Sequence, residues 1–155
     1  MNNSDIEVEH ILVEIRHQRG NHLRHFVDQY FCYKHGYVNK NGNAKWDSLF
    51  WKEWVSVEAE KTRDKKLVRK EHIVPLKVIT EKLLKLGPKA TKEDIVQALD
   101  KYTHFATITS LEDNRLNALG FNSEMPDGFW IKGHPYYDDP FARYKEAGIE
   151  IRYNS

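Results

Sequence analysis

Apolar residues spaced three and four positions apart constrain this chain more than any other feature, and residues 75–86 show them most clearly. Pro75 stands where a helix accepts proline, because the first turn leaves its N–H groups unpaired in any case. Four large apolar residues follow at helical spacing: Leu76, Ile79, Leu83 and Leu86. The pattern predicts an amphipathic helix that packs one side into a core.

The same periodicity recurs along the chain. It predicts further helices near 5–19, 22–35, 47–60, 92–102 and 111–119, and a shorter one from about Asp139-Pro140 to Ala147-Gly148. Three pairs predict helix caps: Ser4 with Glu7, Thr91 with Asp94, and Ser110 with Asp113. The residues expected to be largely buried are Leu76, Ile79, Leu83, Ile95, Leu99, Ile108, Leu116 and Leu119.

Two short segments break the helical pattern. Residues 105–109 alternate and are rich in β-forming residues, and residues 149–153 form a similar terminal segment. We expect these strands to pair, because each is too short and too exposed to be stable alone. The prediction is an α+β fold, mainly helical, with about six helices and a small two-stranded β element.

The length of 155 residues matches one domain. Within residues 1–155 we expect a helical hairpin over 1–36, central helices over 47–102, and a strand-helix-loop-helix-strand module over 104–155. The single cysteine, Cys32, excludes an intramolecular disulfide and a cysteine-based zinc site. The N-terminus lacks the basic start and apolar stretch of a signal peptide, and no window reaches the roughly 18 apolar residues of a membrane span. We therefore expect a cytoplasmic protein with no membrane partner.

A string at residues 70–76 carries the sharpest chemical motif: Lys70-Glu71-His72-Ile73-Val74-Pro75-Leu76. It resembles the first half of the HNH, or His-Me finger, endonuclease motif, in which an acidic residue, a histidine and a nearby proline lie at the end of a strand. The resemblance implies that Glu71 binds a divalent metal ion, Mg²⁺ or similar, and that His72 is the general base that activates water.

In the HNH family the motif continues with a glycine-containing loop, an asparagine and a second metal-binding residue on a following helix. Here an amphipathic helix follows the proline directly, so the resemblance covers about seven residues. The downstream residues that would complete the metal site are Asn114, Asn117 and His134. The alternative interpretation is structural, with His72 capping or packing near the start of the core helix.

Six cations lie between residues 61 and 70 and are interrupted by one acid, Asp64: Lys61, Arg63, Lys65, Lys66, Arg69 and Lys70. The whole chain has 24 Lys and Arg against 23 Asp and Glu, so nucleic-acid affinity requires such a local patch. On a helix these cations would form a basic side that follows phosphates. The alternative is solvated charge that pairs with neighbouring acids, namely Glu53, Glu58 and Glu60.

A loop over residues 121–138 places rings among prolines and glycines: Phe129, Trp130, Tyr136 and Tyr137. Such rings need little entropy to become ordered, so the loop is either a docking surface or a lid. The other interpretation is that the rings seal the core.

Two functions follow from these patterns. The first is a non-catalytic macromolecule-binding protein, such as an accessory or inhibitor protein of a phage or mobile element, that docks a protein or a nucleic acid through its basic helix or aromatic loop. The alternative is an HNH-like metal-dependent endonuclease that uses Glu71 and His72. A cofactor is expected only in the second case, and the oligomeric state stays open.

Overall fold

The computed structural model describes residues 1–154. Within this range the chain forms seven α-helices and one four-stranded mixed sheet, which confirms the α+β class and corrects the predicted two-stranded element. The contacts divide the chain into two compact units, one made of Met1–Ser48 and Leu76–Thr103, the other of Leu49–Pro75 and the chain from His104 onward. No helix in the described part is both long and apolar enough to cross a bilayer.

The first unit contains four helices: α1 (Asn3–Arg16), α2 (Leu23–His35), α4 (Leu76–Lys85) and α5 (Lys92–Tyr102). α1 packs on α2 and α5, and α4 packs on the same two helices. Their buried sides meet in a core that includes Ile11, Leu23, Leu83 and Ile95, each at most 1% exposed. The helical periodicity of the sequence therefore identified these helices and most of their buried residues.

The helix caps differ in part from those predicted. Thr91 and Asp94 form the capping box expected for α5. α1 is instead capped by Asn2 with Asp5, because Ser4 already lies within the first turn. α6 (Ser110–Ala118) is capped by Thr109 with Glu112, one position before the predicted pair. Both errors come from neighbouring residues that also have capping side chains.

The second unit contains the sheet, with strands β1 (Glu53–Ser56), β2 (Val68–His72), β3 (Phe105–Thr109) and β4 (Ile151–Asn154) in the order β2-β3-β1-β4. β1 runs parallel to β3 and antiparallel to β4, and β2 runs antiparallel to β3. The predicted strands at 105–109 and 149–153 correspond to β3 and β4, but they do not pair with each other. β1 lies between them.

Residues 47–70 depart most from prediction. The predicted helix at 47–60 is a 3-10 turn over Trp46–Leu49, strand β1 and the start of the short helix α3 (Val57–Thr62). The predicted basic helix over 61–70 is wrong, because a second 3-10 turn (Lys65–Leu67) leads into β2. Positive φ angles at Trp51, Glu53 and Arg63, between 51° and 67°, are incompatible with a continuous helix.

Each face of the sheet has its own packing. On one face, Ile73, Ala106, Ile108 and other buried residues pack with α6 and with α7 (Ala142–Ala147). On the opposite face, α3 covers a smaller cluster that includes Val55 and Val68. Two predicted core residues are not buried. Leu119 is 48% exposed because it caps the C-terminus of α6, and Leu76 is half-buried in the first turn of α4.

Candidate functional site

The Glu71 side chain is held by two residues of α7. Both terminal nitrogens of the Arg143 guanidinium donate to Glu71 Oε2, at 3.0 and 2.6 Å, and the Tyr144 hydroxyl donates to Oε1. Arg143 is fully buried, Tyr144 is 1% exposed, and the Glu71 side chain is 16% exposed. These two residues are the hydrogen-bond partners of the Glu71 carboxylate within residues 1–154.

Burial and charge act in opposite directions on this carboxylate. Burial raises the pKa of Glu71 and outweighs the Arg143 charge and the Tyr144 and Arg143 hydrogen bonds, which lower it. The nearby Asp113 carboxylate adds a smaller contribution that raises the pKa further. Burial also raises the pKa of the Tyr144 hydroxyl well above its ordinary value, so this group stays a hydrogen-bond donor. Glu71, Arg143 and Tyr144 therefore form a largely buried polar cluster, in which the Arg143 Nε atom has no hydrogen-bond partner within residues 1–154.

Glu71 and His72 project to opposite faces of the sheet, because successive residues of a strand alternate. Glu71 reaches α7, whereas the His72 ring packs on Phe105 of the neighbouring strand with centroids 4.4 Å apart. The two side chains that the HNH resemblance assigns to one metal centre are therefore separated by the thickness of the sheet.

The three proposed downstream metal ligands lie elsewhere in the second unit. Asn114 and Asn117 are exposed on α6. The His134 ring packs against Gly128, and its Nδ1 atom accepts a hydrogen bond from the Tyr136 N–H at 3.0 Å. Among the described residues, no group of three or more His, Cys, Asp or Glu side chains is arranged to hold a metal ion.

The cations of the basic segment, residues 61–70, are distributed over a helix end, a turn and an edge strand. Five of the six are exposed, and Lys70 is half-buried. Lys61 pairs with Glu58 at 3.0 Å and Arg63 with Glu60 at 3.2 Å, and all four side chains are at least half exposed. Such exposed pairs contribute little stability, so solvent ions or a ligand can replace them.

Three of these cations lie over two aromatic rings. The Arg63 guanidinium is 4.8 Å from the centroid of the Trp51 ring, and the Lys65 and Lys70 ammonium groups are 4.8 and 5.8 Å from that of Phe50. Both half-buried rings also pack on the cluster under α3. Arg69 projects to the other face of the sheet from Lys70. The structure therefore combines positive charge with flat apolar surface on the α3 face.

The aromatic loop divides into buried and exposed rings. Phe129 is 1% exposed and contributes to the core, as one interpretation of the sequence predicted. Trp130 and Tyr137 are 38% and 47% exposed, and the adjacent Ile131 is 53% exposed. Tyr136 is half-buried. Consecutive turns close the loop, including a hydrogen bond from the Asp138 N–H to the Phe129 carbonyl at 3.0 Å.

The sequence alone did not identify the residues that complete the Glu71 cluster or the rings that lie beneath the cations. Arg143 and Tyr144 lie 72 and 73 positions after Glu71, so no local pattern links them. Phe50 and Trp51 were assigned to a predicted helix rather than to a surface beneath cations. The available signal was a pair of consecutive aromatic residues about ten positions before the basic segment.

Comparisons of this chain with protein-family models, with curated proteins and with solved structures found no match. Function is therefore argued from the geometry of the sites themselves.

Proposed function

We propose that this chain is a non-catalytic nucleic-acid-binding protein that docks through the basic segment. The observation that carries the proposal is the gathering of Arg63, Lys65 and Lys70 over the rings of Phe50 and Trp51. Cations bind phosphates by releasing condensed counterions, and rings accept bases of any sequence. The formal charge of +1 makes this local patch the source of attraction rather than the whole protein.

The non-catalytic part of the proposal is supported by the surroundings of Glu71. The positive charge of the fully buried Arg143 guanidinium already neutralises the Glu71 carboxylate, and both Glu71 oxygens accept hydrogen bonds from α7. The alternative, an HNH-like endonuclease with a divalent metal ion, requires Glu71 to leave Arg143. That step would leave a fully buried guanidinium without its charge partner.

The proposal is tested by separating binding from cleavage. Labelled DNA and RNA are incubated with the protein and Mg²⁺, then analysed for complex formation and for strand length. We expect binding without cleavage, and weaker binding in a Lys65→Gln/Lys66→Gln variant. A Lys40→Gln/Lys89→Gln variant removes the same charge from two exposed lysines outside both the basic segment and the aromatic loop and is the matched control. Metal-dependent cleavage that disappears in His72→Ala would overturn the proposal in favour of the endonuclease.

A second docking surface is favoured by the exposure of Trp130, Ile131 and Tyr137. Rings held in a closed loop bind partners at low entropic cost. If nucleic-acid affinity is lost in Trp130→Ser but retained in Lys65→Gln/Lys66→Gln, docking is assigned to the aromatic loop instead.

A further inference from the structure

The rings of Phe50 and Trp51, with the Arg63 guanidinium above the second ring, form a surface that we name the ring platform. Both rings pack against three buried residues, Val55, Ala59 and Val68. The Arg63 guanidinium lies 4.8 Å from the centroid of the Trp51 ring, and its side chain is about half exposed and pairs with the exposed Glu60. A half-exposed guanidinium beside a ring is a flat cationic surface of the kind on which nucleic-acid bases stack.

The backbone of Trp51 is held in a conformation that a tryptophan rarely adopts. Its φ angle is 67°, in the left-handed region. Its N–H donates to Thr107 Oγ1 at 2.8 Å, and its carbonyl accepts from Asn154 Nδ2 at 2.6 Å. Backbone strain of this kind persists where the surroundings fix it, and it concentrates at ligand-binding positions. The two hydrogen bonds hold the backbone of Trp51 in this conformation.

A cleft of about 480 Å³ adjoins the platform and shares Arg63 with it. Its lining includes three cations, Lys61, Arg63 and Arg152, one acid, Glu60, and two apolar side chains, Val55 and Val57. The acids that pair with these cations, Glu58, Glu60 and Glu150, are all at least half exposed. The volume falls within the usual range for a small-ligand site and suits one nucleotide.

We infer that the ring platform binds single-stranded nucleic acid, with a base stacked on the Arg63–Trp51 pair and the phosphates along Lys65 and Lys70. This inference rests on the proposed nucleic-acid binding and specifies the form of its ligand. Stacking needs an unpaired base with a free face, which a duplex does not offer. A duplex groove is usually entered by a helix or a β-ribbon, whereas the cations here occupy a helix end, a turn and one edge strand.

The test measures fluorescence anisotropy of labelled single strands of about 12 nucleotides and of a matching duplex, each as DNA and as RNA. Trp51→Leu keeps apolar packing against the cluster under α3 but removes the ring beneath Arg63, and Arg63→Lys keeps the charge but removes the flat guanidinium. Tyr33→Leu removes a half-buried ring of the first unit and is the matched control. Circular dichroism confirms that each variant is folded, and Arg63→Lys serves if Trp51→Leu does not fold.

We expect the wild type to prefer single strands to the duplex. Loss of the stacking surface in Trp51→Leu or Arg63→Lys should weaken single-strand binding by about 5- to 150-fold, and Tyr33→Leu should bind as the wild type does. Equal or tighter duplex binding, or unchanged single-strand affinity in Arg63→Lys and folded Trp51→Leu, would overturn the inference. If the stacking inference fails but nucleic-acid binding is still lost in Lys65→Gln/Lys66→Gln, the proposed function survives. If no nucleic acid binds the wild type, both fail.

Discussion

Arg143 donates to a single oxygen of Glu71 from both of its terminal nitrogens, at 3.0 and 2.6 Å, although the two residues are 72 positions apart in the chain. This contact links α7 to β2 and engages the one carboxylate that the HNH resemblance assigns to a metal. The fully buried guanidinium depends on that carboxylate for its charge partner. The pair therefore has a structural role that competes with catalysis.

The first prediction follows from this pair. Glu71→Gln should lower the free energy of unfolding by about 3–5 kcal/mol, because it leaves the Arg143 charge buried without compensation. Glu150→Gln is the matched control, since Glu150 and its partner Arg152 are both more than 70% exposed, and it should change stability by less than about 1 kcal/mol. Urea unfolding measures both changes. Equal stability of Glu71→Gln and the wild type would show that the carboxylate is free for another role.

A second prediction concerns pH and the first unit. Glu7 is 9% exposed, and burial raises its pKa above the ordinary value, although the charges of His10 and His25 lower it. The folded protein then keeps the Glu7 proton at pH values where the unfolded chain has released it. The contribution of Glu7 to the free energy of unfolding therefore falls as pH rises from the ordinary glutamate pKa through the higher pKa of Glu7 in the folded protein.

Glu7→Gln removes this ionisation. The stability of Glu7→Gln relative to the wild type should therefore increase as pH rises through that window. Urea midpoints of both proteins, measured at a series of pH values, give the difference directly. A constant difference would mean that the pKa of Glu7 is the same in the folded and unfolded states.

The third prediction tests the core of the first unit. Leu83 is fully buried in α4, so Leu83→Ala should cost about 2–5 kcal/mol through lost burial and the cavity that remains. Leu86, just beyond the same helix, is 36% exposed, and Leu86→Ala should cost less than about 1 kcal/mol. Thermal or urea unfolding compares the two. Similar losses would place α4 outside the core.

The fourth prediction concerns the aromatic loop. A Cβ atom at Gly128 would lie 2.3 Å from atoms of the His134 ring, so Gly128→Ala must displace that ring. The displacement breaks the hydrogen bond from the Tyr136 N–H to His134 Nδ1. We expect a cost of about 1–3 kcal/mol, relieved in part when His134→Ala is added. Additive effects of the two substitutions would show that the residues are not in contact.

Local sequence patterns were sufficient to predict the helices of the first unit. Thr91 and Asp94 cap α5 as their spacing predicts, and Leu83 is buried on the predicted side of α4. Strand β1 could not be predicted in this way, because its partners β3 and β4 lie about 50 and 100 positions later. Its four residues, of which Trp54 and Val55 are large and apolar, suit a helix or a strand equally, and tertiary pairing decides between them.

The candidate site shows the same limit. The basic segment and the motif that contains Glu71 could be identified from the sequence, because both are local features. It could not identify Arg143 as the partner of Glu71, nor the positive φ angles that bring Arg63 over Trp51. Both depend on chain segments that are brought together only by folding.

The salt dependence of nucleic-acid binding tests the central claim most directly. The logarithm of the association constant, measured between about 50 and 200 mM salt, should fall linearly with the logarithm of the salt concentration, by about 0.7 per neutralised phosphate for a single strand. Lys65→Gln/Lys66→Gln should reduce the slope by about 1.4 if both lysines contact phosphates, and Lys40→Gln/Lys89→Gln should leave it unchanged. No binding at about 50 mM salt, or the same slope in both variants, would contradict the claim that the basic segment binds nucleic acid.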